Sequence, residues 1–90
     1  MAVAAIITKI MPVSPDVDLS LIKQEAQKRM EHLGAKNISF EEKPIAFGLK
    51  AVMMKMAWPE EKDTNLVEDG LSSIPNVSSA QIEDYRRAFG

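Results

Sequence analysis

The sequence predicts an α+β fold in which six elements follow the order βαββαβ. Four segments are rich in β-branched or apolar residues and are bounded by proline, glycine or charged residues, a pattern that is typical of strands. Two intervening segments instead repeat apolar residues at the spacing of a helix. The chain has 90 residues, 46% of them apolar, which is enough material for one core. We therefore expect residues 1–90 to form a single domain.

The first strand is predicted at Val3–Met11 (VAAIITKIM), a segment dominated by β-branched residues. Pro12 follows and cannot donate a hydrogen bond to a sheet ladder, so the strand should end there. Apolar residues occupy both alternating positions of the segment, which indicates a central strand of the sheet.

The first helix should begin at Asp18, whose carboxylate can accept hydrogen bonds from the free N–H groups of the first turn. Val17 and Ile22 stand at the positions of a hydrophobic staple. Gly34 should end the helix in a left-handed conformation. The apolar stripe of this helix comprises Leu19, Ile22, Ala26, Met30 and Leu33.

Two further strands are predicted after this helix. The first is short, at Ile38–Glu42, and a connection over residues 43–46 leads to a long strand at Phe47–Trp58. The long strand is apolar on both faces except at Lys50 and Lys55. Pro59 should end it and begin a charged loop over residues 59–63 (PEEKD).

The last two elements are a weaker helix and a final strand. Thr64 can cap the helix, and Gly70 within it costs about 1 kcal/mol relative to alanine. The residues expected to turn inward are Leu66, Val67 and Leu71. The final strand is predicted at Val77–Tyr85, and Arg86–Gly90 is predicted to be a tail. Right-handed crossovers place both helices on one face of a four-stranded antiparallel sheet, which is the ferredoxin-like βαββαβ sandwich.

No group of residues suited to catalysis or cofactor binding is evident in the sequence. The only histidine, His32, lies beside the polar face of the first helix, where a solvated side chain is the ordinary interpretation. With no second histidine and no cysteine, there is no candidate metal site and no disulfide. The glycines are scattered, so no phosphate-binding loop is formed. We expect no enzyme activity, no metal and no cofactor, and we expect the protein to act through a protein partner.

The net charge and the length of the apolar runs indicate which classes of partner and which cellular location to expect. Eleven basic and 13 acidic residues give a net charge of −2, which argues against general nucleic-acid binding. No apolar run approaches the roughly 20 residues of a membrane span, and residues 1–15 lack the pattern of a signal peptide. The absence of cysteine is compatible with a reducing cytosol, and we expect a cytoplasmic protein.

Three methionines, Met53, Met54 and Met56, cluster on the predicted long strand. They either fill the core or face a partner, since methionine adapts to binding surfaces and the second sheet face is left uncovered. RNA-binding domains of this fold stack bases on aromatic residues of the central strands. Here the strand offers aromatic residues only at its ends, Phe47 and Trp58, so RNA binding is the less favoured interpretation.

The segment Pro44–Lys50 (PIAFGLK) places a bulky aromatic residue where a loop meets a strand. Gly48 beside it lets another backbone approach closely. Phe47 could therefore project outward as an anchor for a partner. The alternative is that Phe47 begins the strand as a core residue, and the residues alone do not decide between the two.

The chain resembles the translation elongation factor 1-beta family, in its archaeal members and in the C-terminal domain of its eukaryotic members. The most specific likeness is Pro44–Lys50, which is similar to the family's Pro-Ile-(Gly/Ala)-Phe-Gly-(Ile/Leu)-Lys segment. The helix start at Asp18-Leu19 and the segment Ile74–Ser79 also match. The resemblance covers nearly the whole chain and implies the same βαββαβ sandwich.

The resemblance implies a guanine-nucleotide exchange factor for the GTPase elongation factor 1-alpha. In the family, the phenylalanine of the Phe-Gly pair wedges into the GTPase, a role that carries onto Phe47 with Gly48. A basic residue near the family's C-terminus reaches toward the Mg²⁺ site of the GTPase. Counting along the last strand places Arg87 nearest to that position, with Arg86 beside it. The alternative function is a ferredoxin-like module that binds RNA or a small ligand.

Overall fold

The computed structural model contains the six predicted elements in the predicted order. The structure describes residues 2–88, and side chains over residues 2–87. Phe89 and Gly90 of the predicted tail lie outside the described residues. The elements are β1 (Val3–Pro12), α1 (Leu19–His32), β2 (Lys36–Pro44), β3 (Lys50–Pro59), α2 (Asn65–Ser72) and β4 (Val77–Ala88). The strands form one antiparallel sheet in the order β2-β3-β1-β4, so the fold is ferredoxin-like and β1 is central, as predicted.

The core lies between the sheet and the two helices. Because side chains alternate between the faces of a strand, every second residue of β1 and β3 points to the helices. These residues are Ala4, Ile6, Thr8 and Ile10 on β1, and Val52, Met54, Met56 and Trp58 on β3, all of them buried. The helices contribute Ile22, Ala26, Met30, Val67 and Leu71. The opposite sheet face carries no helix within residues 2–88, and we call it the uncovered face.

Both ends of α1 follow the predicted capping chemistry. The Asp18 carboxylate accepts a hydrogen bond from the backbone N–H of Ser20 at 2.9 Å. Gly34 has a φ of +103°, and the N–H of Ala35 donates to the carbonyl of Met30 at 2.9 Å. This 6→1 hydrogen bond belongs to the Schellman arrangement, in which a left-handed glycine ends a helix.

The start of α2 differs from the prediction. Thr64 occupies the N-cap position, but among the described residues its side chain makes no capping hydrogen bond. Its backbone is helical, with φ −67° and ψ −18°, whereas a capping side chain needs an extended backbone. The Asp63 carboxylate instead accepts from the N–H of Asn65 at 2.9 Å. Leu66 is also 42% exposed rather than turned inward, while Val67 and Leu71 are buried as predicted.

Gly70 allows the two helices to approach closely. A Cβ at this position would lie 3.1 Å from the terminal methyl carbon of Met30. Arg29 of α1 donates to the carbonyl of Gly70 at 2.9 Å and to the hydroxyl of Ser73 at 2.6 Å. The glycine that weakens α2 on its own therefore improves its packing against α1.

All four strands differ from the prediction at one or both ends, β1 only in that it includes Pro12. The second strand is longer, at Lys36–Pro44 rather than Ile38–Glu42. The third strand begins at Lys50, so residues 47–49 belong to the turn that precedes it. The fourth strand continues past Tyr85 to residue 88, so the two arginines predicted in a tail are strand residues.

Candidate partner-binding site

Phe47 is the most exposed large apolar side chain of the described residues, at 96%. It lies in the tight turn between β2 and β3. The N–H of Ile45 donates to the carbonyl of Leu49, and the N–H of Leu49 donates to the carbonyl of Ala46, both at 2.9 Å. This exposure excludes the alternative that Phe47 is a core residue.

The turn holds Phe47 in an unusual backbone conformation. Its φ is +54°, in the left-handed region that a non-glycine residue rarely adopts. Gly48 follows with a φ of +78°, which glycine adopts without steric cost. A Cβ on Gly48 would lie 3.7 Å from the Cβ of Pro15, so the turn packs against the loop between β1 and α1. The aromatic side chain is thus presented by a turn fixed in place by its own hydrogen bonds and by this loop.

Other exposed apolar side chains lie toward the same end of the sheet. Val13 is 57% exposed, Leu21 61% and Ile45 41%. A shallow depression of about 310 Å³ is lined by Gly48, Pro15 and the start of α1. We call this end of the sheet, with Phe47 and Gly48, the turn end.

Arg86 and Arg87 lie on β4 and are paired with β1. Arg86 is opposite Ala5 and points to the uncovered face, whereas Arg87 is opposite the core-facing Ala4. Both side chains are about four-fifths exposed, at 80% and 81%. Arg86 forms an ion pair with Asp84, with Nε and Oδ2 3.0 Å apart.

The Arg87 side chain is paired with Glu60 in the loop after β3. Its Nε lies 3.1 Å from Oε1 of Glu60, a buried carboxylate oxygen. Among the described residues that oxygen accepts no hydrogen bond, so the contact with Arg87 is an ion pair without good alignment. We call this end of the sheet, with Arg86 and Arg87, the arginine end.

The structure does not bring the four predicted site residues together. Arg87 is level with Ala4, which pairs with Trp58 near the end of β3, whereas Phe47 precedes the start of β3. Lys50 and Trp58 lie eight residues apart on β3, which corresponds to about 26 Å at about 3.3 Å per residue. Phe47 with Gly48 and Arg86 with Arg87 therefore form two separate pairs at opposite ends of the sheet.

The methionine cluster divides between the two faces of the sheet. Met54 and Met56 are buried in the core, at 0% and 2% exposure. Met53 is half-buried on the uncovered face, in the neighbourhood of Ile7 and Lys55. Within the described residues, β1 and β3 place no aromatic side chain on that face, because Trp58 points into the core. The uncovered face thus lacks the stacking platform of an RNA-binding domain.

The search for other sites covers the described residues only. Over residues 2–88 there is no group of three or more histidine, cysteine or acidic side chains that could hold a metal ion. His32 is exposed, as predicted.

The ammonium of Lys23, 2.7 Å from Glu42, holds the pKa of that carboxyl below its usual value by a hydrogen bond and by charge. Of the helices in the described part of the chain, none is long and apolar enough to cross a membrane.

Comparison with known proteins identifies the family. A sequence model of the EF-1 guanine nucleotide exchange domain matches residues 5–88. The chain belongs to this family. It is 42% identical to the elongation factor 1-beta of Methanothermobacter thermautotrophicus, over 88% of this chain and 89% of that protein. The elongation factor 1-beta of Methanocella arvoryzae is also 42% identical, over 90% and 91%, and that of Sulfolobus acidocaldarius is 32% identical, over 91% and 92%.

Membership of the EF-1 guanine nucleotide exchange domain family confirms the resemblance predicted from Pro44–Lys50. The matched residues 5–88 contain both the turn end and the arginine end. The chain is accordingly a guanine nucleotide exchange domain, and the RNA- or ligand-binding alternative is not favoured.

Two features of this exchange domain were missed by sequence reasoning. Glu60 was predicted to lie in a charged loop, and its ion pair with Arg87 was not predicted. Val13 and Leu21 were not recognised as exposed apolar residues of the turn end. No sequence pattern links Glu60 to Arg87, since the pair depends on how the β3–α2 loop folds against β4. The exposed apolar residues could have been found by noticing that Leu21 lies off the apolar stripe of α1.

Proposed function

We propose that this protein promotes GDP release and GTP reloading of the GTPase elongation factor 1-alpha during protein synthesis. Its membership of an exchange-domain family and its similarity to elongation factors 1-beta support the proposal. The observation that carries it is Phe47, a bulky aromatic side chain that is 96% exposed and held in a left-handed turn. Folding of the domain gains little from such a residue, whereas an interface gains a preformed anchor.

The proposed mechanism needs binding energy and no covalent step, so the protein is not an enzyme in the chemical sense. An exchange factor binds the nucleotide-free GTPase more tightly than the GDP-bound form. By linkage it then weakens GDP binding by the same factor. GTPases hold GDP through backbone amides of a phosphate-binding loop and through Mg²⁺, so a disturbance of either weakens the complex.

In this proposal the turn end supplies the anchor. The backbone hydrogen bonds of the turn and its contact with Pro15 keep the backbone at Phe47 in one conformation before binding. Little conformational entropy is then lost on association, which favours affinity. Gly48 supports this role because its φ of +78° keeps the turn tight.

The arginine end supplies positive charge toward the Mg²⁺ site of the GTPase. Arg87 is the residue proposed to act there, with Arg86 beside it. Its ion pair with Glu60 is mostly solvent-exposed on the arginine side, and such pairs contribute only about 0–1 kcal/mol. Arg87 can therefore turn toward the partner, although its departure leaves the buried Oε1 of Glu60 without a counter-charge. Because about 26 Å separates the two ends, the GTPase must be contacted at two distinct places.

We also propose the extent of the exchange domain and its location in the cell. Residues 1–90 act as a single exchange domain in the cytoplasm, where protein synthesis takes place, without cofactor or direct contact with nucleic acid. Both ends of the sheet lie within the family match, which supports this extent.

The test is a release assay with elongation factor 1-alpha preloaded with fluorescent GDP. Substoichiometric amounts of this protein should accelerate the loss of fluorescence over many turnovers, and the recovered GDP should be chemically unaltered. Unchanged release, together with retention of RNA in a binding assay, would favour the RNA-binding alternative. Hydrolysis of GDP by this protein alone would show that the protein carries out a chemical reaction, which contradicts the proposal.

A further inference from the structure

Strand β4 contains an extra residue that decides which way the arginines point. Ile82 pairs with Thr8 and Asp84 pairs with Ile7, so Glu83 between them has no partner on β1. An unpaired residue inserted in this way is a β-bulge, a feature that re-aims the side chains that follow it.

The bulge changes the alternation of side chains along β4. Ile82 lies on the core side with Thr8, and Asp84, only two residues later, lies on the uncovered face with Ile7. As a result, Arg86 also lies on the uncovered face and Arg87 lies on the helix side, beside Glu60. A one-residue slip in place of the bulge would exchange the faces of the two arginines.

One side chain outside the strand holds this bulge. The carboxylate of Glu68 on α2 accepts a hydrogen bond from the backbone N–H of Ile82 at 3.0 Å, directly before the extra residue. Glu68 lies on the same short helix as Val67 and Leu71, which anchor α2 in the core. Its carboxylate is therefore presented from a fixed position, and a hydrogen bond to a carboxylate is stronger than one between neutral groups.

We propose that Glu68 is a positioning residue for exchange: it holds the bulge at Glu83 and so fixes Arg86 and Arg87 on their respective faces. This inference rests on the proposed function of the two arginines. β4 is an edge strand, paired only with β1, so its far half has no second neighbour to keep it in register. The contact from α2 supplies that constraint.

The first experiment compares Glu68→Ala with Glu68→Gln and Asp69→Ala. The alanine at position 68 leaves the N–H of Ile82 without its acceptor, whereas glutamine keeps an acceptor oxygen at the same place. Asp69→Ala removes an adjacent acidic residue, which is exposed, and serves as the matched control. Amide hydrogen exchange of residues 84–87 is measured beside GDP release on the same preparations.

We expect Glu68→Ala to speed amide exchange at residues 84–87 by about tenfold or more relative to the core strands. GDP release should slow in parallel. Glu68→Gln and Asp69→Ala should stay within about twofold of the wild type in both assays.

Deletion of Glu83 supplies a rescue that a general loss of stability cannot mimic. Without the extra residue, Ile82 and Asp84 keep their partners Thr8 and Ile7 in a regular ladder, and the arginines keep their faces. The double variant that combines Glu68→Ala with deletion of Glu83 should therefore recover both amide protection and exchange activity.

Unchanged protection at residues 84–87 in Glu68→Ala, or failure of the deletion to restore it, would overturn the inference. Lost protection with full GDP release would also overturn it, because Glu68 would then hold the bulge without acting on exchange, whereas a wild type that fails to accelerate GDP release would refute the proposed function itself. The two failures are thus distinguishable.

Discussion

The turn end and the arginine end present their side chains in opposite ways. At the turn end, Phe47 extends into solvent from a backbone with a φ of +54°, and the conformation is imposed by the turn itself. At the arginine end, Arg86 and Arg87 have ordinary strand backbones and flexible side chains, each paired with a neighbouring carboxylate. The turn end is thus formed before binding, whereas the arginines of the arginine end can exchange their carboxylates for groups of the GTPase.

The difference indicates that the turn end contributes to affinity for the GTPase and the arginine end to the rate of GDP release. An exposed aromatic residue whose backbone is already fixed loses little backbone entropy on binding and so contributes mainly to affinity. A long cationic side chain held by weak ion pairs can be redirected after the complex forms. We therefore expect substitutions at the turn end to act on complex formation, and substitutions at the arginine end to act on GDP release within the complex.

The largest effect is expected for Phe47→Ala. Loss of an anchor aromatic commonly costs 2 kcal/mol or more, so exchange at limiting concentration should fall on the order of 30-fold. The melting temperature should change little, because the side chain is 96% exposed. A melting curve and a GDP-release assay on one preparation check both statements.

Phe40→Ala is the matched control for that substitution. Phe40 is partly buried on β2 and packs against the core, so its removal should lower the melting temperature. Its effect on exchange should follow only from lost stability. If Phe47→Ala melts as early as Phe40→Ala, Phe47 contributes to the fold rather than to the partner.

Removal of residues 86–90 is the second prediction. Exchange should slow by about tenfold, corresponding to about 1.4 kcal/mol, while affinity for the nucleotide-free GTPase changes much less. Arg87→Ala should act in the same direction with a smaller effect, and Arg86→Ala measures how much of the effect the neighbouring arginine contributes. Titration of complex formation beside single-turnover GDP release separates the two quantities. A folded truncated protein that exchanges at the full rate would contradict the assignment of the arginine end.

Gly48→Ala tests how far the turn end depends on its conformation. A left-handed φ costs a residue with a Cβ about 1–2 kcal/mol, and the added methyl group itself meets Pro15 only at ordinary contact distance, 3.7 Å. The free energy of unfolding should fall by about 1 kcal/mol in urea titration, with a few-fold loss of exchange. Wild-type stability in this variant would show that the turn is not constrained at Gly48.

Glu60→Gln should have the smallest effect. Without its ion pair, Arg87 is freer to reach the partner, so exchange at low salt should rise by up to about twofold to threefold. High salt should remove the difference, since it screens the pair in the wild type as well. Release assays at two ionic strengths make the comparison, and slower exchange at low salt would mean that Glu60 orients Arg87 productively.

Local sequence signals predicted most of the fold. The central position of β1 followed from apolar residues at both alternating positions, and the ends of α1 followed from Asp18 and Gly34. These features depend on contacts within a few residues, so they can be read directly from the chain. The Phe-Gly pair was singled out in the same way, because an aromatic residue beside glycine at a junction is unusual.

The errors arose where local pattern and three-dimensional context disagree. Phe47 extends the apolar pattern of β3, and only its left-handed backbone places it in the turn. Arg86 and Arg87 were predicted to lie in a tail, whereas they continue β4 and pair with Ala5 and Ala4 of β1. The contacts of Glu68 with Ile82 and of Glu60 with Arg87 join different elements and leave no sequence signature.

The most direct test of the account is a double-mutant cycle on GDP release from elongation factor 1-alpha. The proteins compared are the wild type, Phe47→Ala, Arg87→Ala and the double variant, each measured as kcat/KM for release. Sites this far apart should contribute independently, so the double variant should show the product of the two single reductions, on the order of 100-fold if they are about 30-fold and about threefold. A double variant no slower than Phe47→Ala alone, or a wild type that fails to accelerate release, would contradict the account.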